Sequence, residues 1–151
     1  MLFCAVASIG ITATAGLRER VHDLLEFQKI VTQFGIYTQY AHTDIFETMR
    51  RINASEKSAL LTRLLARQKG WNREAVGQAI TVKNQTDREM MLDFFTAIGT
   101  TDLNGQEAVC AQASGRVAAQ LAVATEELNR KGKMYRSLGL CAGLAMVILL
   151  I

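Results

Sequence analysis

Arg130–Ile151 reads RKGKMYRSLGLCAGLAMVILLI. It opens with four basic residues, Arg130, Lys131, Lys133 and Arg136, and no acid stands among them. Ser137–Ile151 then runs for fifteen residues without a charge. Counted from Met134, the stretch has eighteen residues and one charge, Arg136. As a helix it spans roughly 27 Å at 1.5 Å per residue, close to the hydrocarbon thickness of a bilayer. It reads as a membrane helix with a basic collar. Inside it, Gly139 and Gly143 form a GxxxG pair, a groove that lets another helix approach closely.

Upstream of the collar, Cys110, Ser114, Val117, Leu121, Ala124 and Leu128 alternate spacings of four and three, a seam of heptad type. The helix therefore extends back to about Leu103 and joins the apolar tail to a polar domain. The N-terminal end mirrors this arrangement. Met1–Leu17 is uncharged, and Arg18 and Arg20 follow it. Ala13-Thr14-Ala15 has the form of a signal-peptide cleavage site, but no basic residue precedes the apolar run. The expectation is a retained membrane helix. Its Ser8, Thr12 and Gly16 form a small-residue stripe that suits the Gly139/Gly143 face. Both apolar ends carry their positive charge on the inner flank. The positive-inside tendency then places residues 18–136 in the cytoplasm and both termini across the membrane.

The domain organisation expected is a membrane helix over residues 1–17, a cytoplasmic helical bundle over 18–136 and a second membrane helix over 137–151. The class is all-α. Proline is absent, which favours uninterrupted helices. The bundle is antiparallel, with about six helices. Leu17–Tyr40 continues the first helix. Asp44-Ile45-Phe46-Glu47 has the form of a capping box and opens a helix to about Ile52. Asn53-Ala54-Ser55 breaks it, with Ser55 as the next N-cap. Leu60, Leu61, Leu64 and Leu65 mark a helix that Gly70 ends. Trp71 and Asn72 start another, with Val76, Ala79 and Ile80 as its apolar face. Thr86-Asp87-Arg88-Glu89 reads as a second capping box, opening a helix through Met91, Phe94, Phe95 and Ile98 that Gly99 caps. Thr100–Gly105 is a turn.

Chemistry is sparse in this pattern. Net charge is +3, from 17 basic and 14 acidic residues, too slight and too interspersed for a nucleic-acid footprint. Cys4, Cys110 and Cys141 have no metal or disulfide spacing. His22 and His42 are read as surface or capping residues without ligand partners. No phosphate loop, zinc motif or nucleophile elbow occurs. The carboxylates of Asp44/Glu47 and Asp87/Glu89 are explained by helix starts. Trp71 is a core anchor. The reading is of a non-enzymatic chain without catalytic residues, cofactor or metal. The basic collar sets topology and offers anionic lipid or an acidic partner a contact.

Three places carry a resemblance to a known family. They are Ala41-His42-Thr43-Asp44 with the helix ending Met49-Arg50-Arg51-Ile52, the turn Phe95–Gln106, and Lys133–Leu140 with the apolar tail. Together they resemble the stage III sporulation protein AB family of endospore-forming bacteria, across essentially the whole chain. Asp44 stands where relatives have proline, and the first apolar helix is more polar than usual. The resemblance implies that Thr43, Gly99, Asp102 and Gln106 are fold-defining turn positions. It implies a platform or adaptor of the sporulation secretion-like complex, with a domain similar to type II secretion F-family platform proteins. Its place would be the mother-cell-derived outer forespore membrane during engulfment. Its implied partners are a cytoplasmic secretion-type ATPase and other membrane subunits of that complex, in membrane lipid, with self-association allowed and no nucleic acid. The alternative is a small membrane-anchored regulator or sensor that binds a ligand or lipid.

Overall fold

The structure is a computed structural model. It describes the backbone of residues 2–40 and 44–150, and the side chains of residues 15–40, 44–102, 105–134, 137, 138 and 141. Six α-helices and one 3-10 turn account for it, and the described residues include no strand. They are α1 (Leu2–Tyr40), α2 (Ile45–Glu56), α3 (Ala59–Leu65), the 3-10 turn Gln68–Gly70, α4 (Arg73–Ala79), α5 (Gln85–Ile98) and α6 (Leu103–Leu150).

The two long helices form the spine. Arg20 reaches Gln120 and Glu127 of α6, and Gln39 reaches Glu107, so α1 and α6 run antiparallel. They pass close at Gly35, where a Cβ would meet Cys110 Cβ at an ordinary contact distance of 3.8 Å. The shorter helices wrap one flank of this pair in chain order, α2 on α1, α3 on α2, α4 on α3 and α5, and α5 on α6. Leu24, Phe27, Ile30, Val31 and Phe34 of α1 face this flank at helical spacing and are buried. Phe27 and Phe34 meet Phe94 edge-on, at centroid distances of 5.4 and 5.8 Å, and Phe95 completes the cluster. These offset aromatic contacts contribute about 0.5–1.5 kcal/mol each beyond their buried area.

Several sequence expectations shift here. The seam on α6 is real at Cys110, Val117 and Ala124, which are buried, while Leu121 and Leu128 are half-buried. Ser114 is exposed, however, and Ala113 lies inside instead. The inward line bends toward α5, where Ala113 shares a small cavity with Met90 and Phe94. Asn53-Ala54-Ser55 does not break α2, which continues to Glu56. Ser55 bonds back to the Ile52 carbonyl at 3.0 Å, as a hydroxyl inside a helix does. The chain turns at Lys57, whose φ of 51° is left-handed, and Ser58 is the N-cap of α3. Likewise the cap of α5 is Asn84, which accepts from the Asp87 N–H at 3.1 Å; Thr86 is already helical. Asp44 does cap α2, accepting from Phe46 N at 3.1 Å. Its box stays half-made, because Glu47 turns away to Arg50 and Arg51. α6 begins at Leu103, where the seam placed its start and inside the expected Thr100–Gly105 turn, with Asp102 bonding the Gly105 N–H at 3.0 Å.

α6 is unbroken over 48 residues, about 72 Å by its rise. Beyond the bundle, α1 and α6 both continue at the same end. Among the described residues no helix is long and apolar enough to cross a membrane. The side chains of the two apolar ends lie largely outside the described set, so the two expected spans are not shown.

Candidate functional site

At the end where α1 enters the bundle and α6 leaves it, an ion-pair network joins three helices. Arg20 Nε donates to Asp87 Oδ2 at 2.6 Å, and Arg20 Nη2 donates to Asp87 Oδ1 and Gln120 Oε1, both at 3.1 Å. Asp87 is fully buried, and the Arg20 side chain is 15% exposed. The hydrogen bonds to Asp87 raise the Arg20 guanidinium pKa further, against its burial. A fork-on-fork pair of this kind is among the strong, direction-setting contacts of a protein. Glu127 extends the network. Its carboxylate lies 2.8 Å from Lys131 Nζ and 3.7 Å from Arg20, and the lysine first, then the arginine, lower its pKa. Asp87, taken from the sequence as a capping carboxylate, is therefore the buried anion that locks α1, α5 and α6 together.

The collar lies just beyond. Lys131 is drawn onto Glu127, whereas Arg130 and Lys133 are exposed. The Arg136 side chain lies outside the described residues, as do the surroundings of Gly139 and Gly143, whose backbone belongs to α6.

The opposite end holds the turn positions. Gly99 closes α5 with an ordinary right-handed backbone, φ −80°. It must be glycine for another reason. A Cβ there would lie 3.1 Å from Trp71 Cδ1 and nearer still to the indole nitrogen. Trp71 stacks edge-on against Phe46 at 5.2 Å, and its buried Nε1 has no hydrogen-bond partner among the described residues. Asp102 caps α6. Gln106 Nε2 reaches back to the Thr101 carbonyl at 3.2 Å and, more weakly, to that of Ile98 at 3.5 Å. Gly99, Asp102 and Gln106 thus come together as one cap that welds α5 to α6. Thr43 and His42 lie outside the described residues.

One cluster escaped the sequence reading. His22, Asp23 and Glu26 bring one ligand atom each within 4.8 Å of one another. The His22–Glu26 spacing of four residues was visible in the sequence and corrects the view that His22 has no partner. His22 is exposed, and Ser58 already donates to Glu26. Burial, then the neighbouring Glu19 and Glu26, raise the Asp23 pKa.

No curated protein and no solved structure matches the chain. The family model for stage III sporulation protein AB does match, over residues 1–151. The Gly99–Gln106 weld and the Lys133–Leu140 stretch entering the apolar tail lie inside that match, and the chain belongs to the stage III sporulation protein AB family, with a role in stage III sporulation.

Proposed function

We propose that the chain is a non-enzymatic membrane platform of a secretion-like sporulation complex, coupling a cytoplasmic ATPase to membrane subunits. One observation carries this reading. α1 and α6 pair antiparallel through the bundle and leave it at the same end, each with its basic residues where it leaves: Arg18 and Arg20 on one, Arg130 to Arg136 on the other. Such a pair fits two membrane helices with residues 18–136 on the cytoplasmic side. The location implied is the outer forespore membrane, derived from the mother cell, during engulfment. The Arg20–Asp87 lock ties the helix pair to α5. A push on the wrapped flank would then be felt at the bilayer.

Affinity isolation from membranes of sporulating cells should bring down a cytoplasmic ATPase in at least one nucleotide state. Its absence in every state would sink the platform role. Topology is tested with cysteines. Cys110 cannot serve, because it is buried, and burial followed by the nearby Glu107 pushes its thiol up to about 11. A Ser114→Cys variant places the thiol on the exposed side of α6. It should react with an impermeant maleimide from the cytoplasmic side alone, while Cys4 and Cys141 stay protected by lipid. An intact mass showing cleavage after Ala15 would remove the first span.

A membrane-anchored sensor is the second reading, and the His22/Asp23/Glu26 cluster is the observation that favours it. It weighs less, because the cluster is exposed at His22 and Glu26 is already engaged by Ser58.

A further inference from the structure

Charge is distributed unevenly over the bundle. Residues 45–74, from α2 to the start of α4, hold seven basic and three acidic side chains, a net of +4 that exceeds the +3 of the whole chain. Residues 83–127, spanning α5 and most of the bundle part of α6, hold three basic against seven acidic, a net of −4. The positive flank is only partly cancelled, with Arg73 paired to Asp93 of α5 at 2.9 Å. Arg63, Arg67 and Lys69 have no acid within ion-pair distance among the described residues. Arg50 and Arg51 share the single Glu47, whose pKa they lower, Arg51 first.

Three of these cations are also held by neutral acceptors. Arg63 Nε donates to the Ala79 carbonyl at 2.9 Å, Arg67 Nη1 to Gln78 Oε1 at 2.6 Å, and Arg50 Nη2 to Gln68 Oε1 at 2.9 Å. Such bonds hold the guanidinium groups still and leave their charge intact. Holding like charges near one another without an acid is unfavourable to the free chain, and it pre-organises a surface for an anion. Beside Arg67 and Lys69 lies a depression of about 510 Å³, lined by Leu65, Ala66 and Ala75 and edged by Arg67, Gln68 and Lys69, whereas Arg63 lines a separate pocket with His22, Asp23 and Glu26. Apolar floor and cationic edge suit a segment that carries carboxylates beside apolar side chains.

We infer that the α2–α4 flank, centred on Arg50, Arg67 and Lys69, is a docking surface for an acidic protein segment. The inference deepens the platform reading by naming the face that meets a partner. It rests on that reading for placing the bilayer at the end where α1 and α6 leave the bundle. Arg50 and the bound Gln68 lie toward the other end, where α1 passes into α2. From Arg20 to Tyr40 the helix rises about 30 Å, several Debye lengths at physiological salt, so lipid headgroups are out of reach of the Arg50–Gln68 end of the flank. Arg63, which lines a pocket with His22, Asp23 and Glu26, lies nearer the membrane end and is not part of the docking surface. Nucleic acid would need phosphate contacts along a longer basic track, and the adjoining α5–α6 side is acidic.

The test uses the full chain in nanodiscs of zwitterionic lipid and a fluorescent decaglutamate peptide, titrated at low and physiological salt. Binding should weaken about tenfold in the Arg50→Glu/Arg67→Glu/Lys69→Glu variant. It should survive in Arg50→Lys/Arg67→Lys, which keeps charge and loses the hydrogen-bond geometry. It should also survive charge reversal of the collar at Arg130, Lys131 and Lys133. Circular dichroism must show the same helix content in each variant. No binding at low salt overturns the inference, and so does equal loss on collar reversal. Tighter binding of oligothymidylate or of phosphatidylglycerol vesicles through the same three residues overturns it as well. Peptide binding on the flank stands whether or not an ATPase is co-isolated, so the two readings fail separately.

Discussion

Gly99 shows how one residue type can be demanded by a distant neighbour. Its own backbone is right-handed and would accept any residue. The indole of Trp71 occupies the space a Cβ needs. Gly99→Ala should therefore push Trp71 outward and cost about 1–3 kcal/mol, the usual range for overpacking. Trp71 is the only tryptophan, so its fluorescence should shift to the red in step with the lowered melting temperature. An unchanged emission maximum would show that the indole was not displaced. Asp23 makes a second prediction through pH. Burial and two like charges raise its folded-state pKa. A raised acid gives stability that is present below the unfolded value near 4 and is lost as pH rises through the folded value. Asp23→Asn should thus melt about 1–2 °C higher than the parent at pH 7, solvent screening keeping the effect small. The difference should vanish below about pH 4. A gain that persists in acid would point to some cause other than ionisation.

At the scale of elements, the caps at Asp44 and Gly99 were legible in place, while two others were legible as residue types and mistaken in position. Ser55 and Ser58 both look like N-caps, and so do Asn84 and Thr86. What separates them is the neighbouring fold. Lys57 takes the left-handed turn that ends α2, and Ser58 then bonds Leu61 N at 3.2 Å while donating to Glu26. Asn84 becomes the cap because Asp87 is drawn inward by Arg20 and must already lie in the helix. Ser58→Ala and Asn84→Ala should each cost about 1 kcal/mol. Ser55→Ala and Thr86→Ala should stay within about 0.5 kcal/mol. Chemical denaturation of the four variants checks the order, and a reversed order would return the caps to their sequence-expected places.

For the whole molecule, the contact that matters most spans 67 residues. Arg20 and Asp87 are both largely withdrawn from water, so removing one strands the other. Arg20→Met should cost about 3–5 kcal/mol, whereas Arg20→Met/Asp87→Leu should recover much of that loss. A double variant no better than the single would mean that the pair itself, and not the stranded charge, supplies the stability. Much of the architecture was readable beforehand. Helical periodicity, absent proline and the Gly99–Gln106 turn are encoded within a few residues of one another. They determined the all-helical class, the six helices, the long terminal pair and the family resemblance. Tertiary structure decided what local pattern cannot: that Asp87 is a buried lock instead of a cap, and that Ala113 and not Ser114 faces inward. It also decided that Arg67 is held by Gln78 and, like Lys69, has no acid at ion-pair distance among the described residues. The reason is range. A helix follows from hydrogen bonds four residues long. Which carboxylate finds which guanidinium depends on how the finished helices pack.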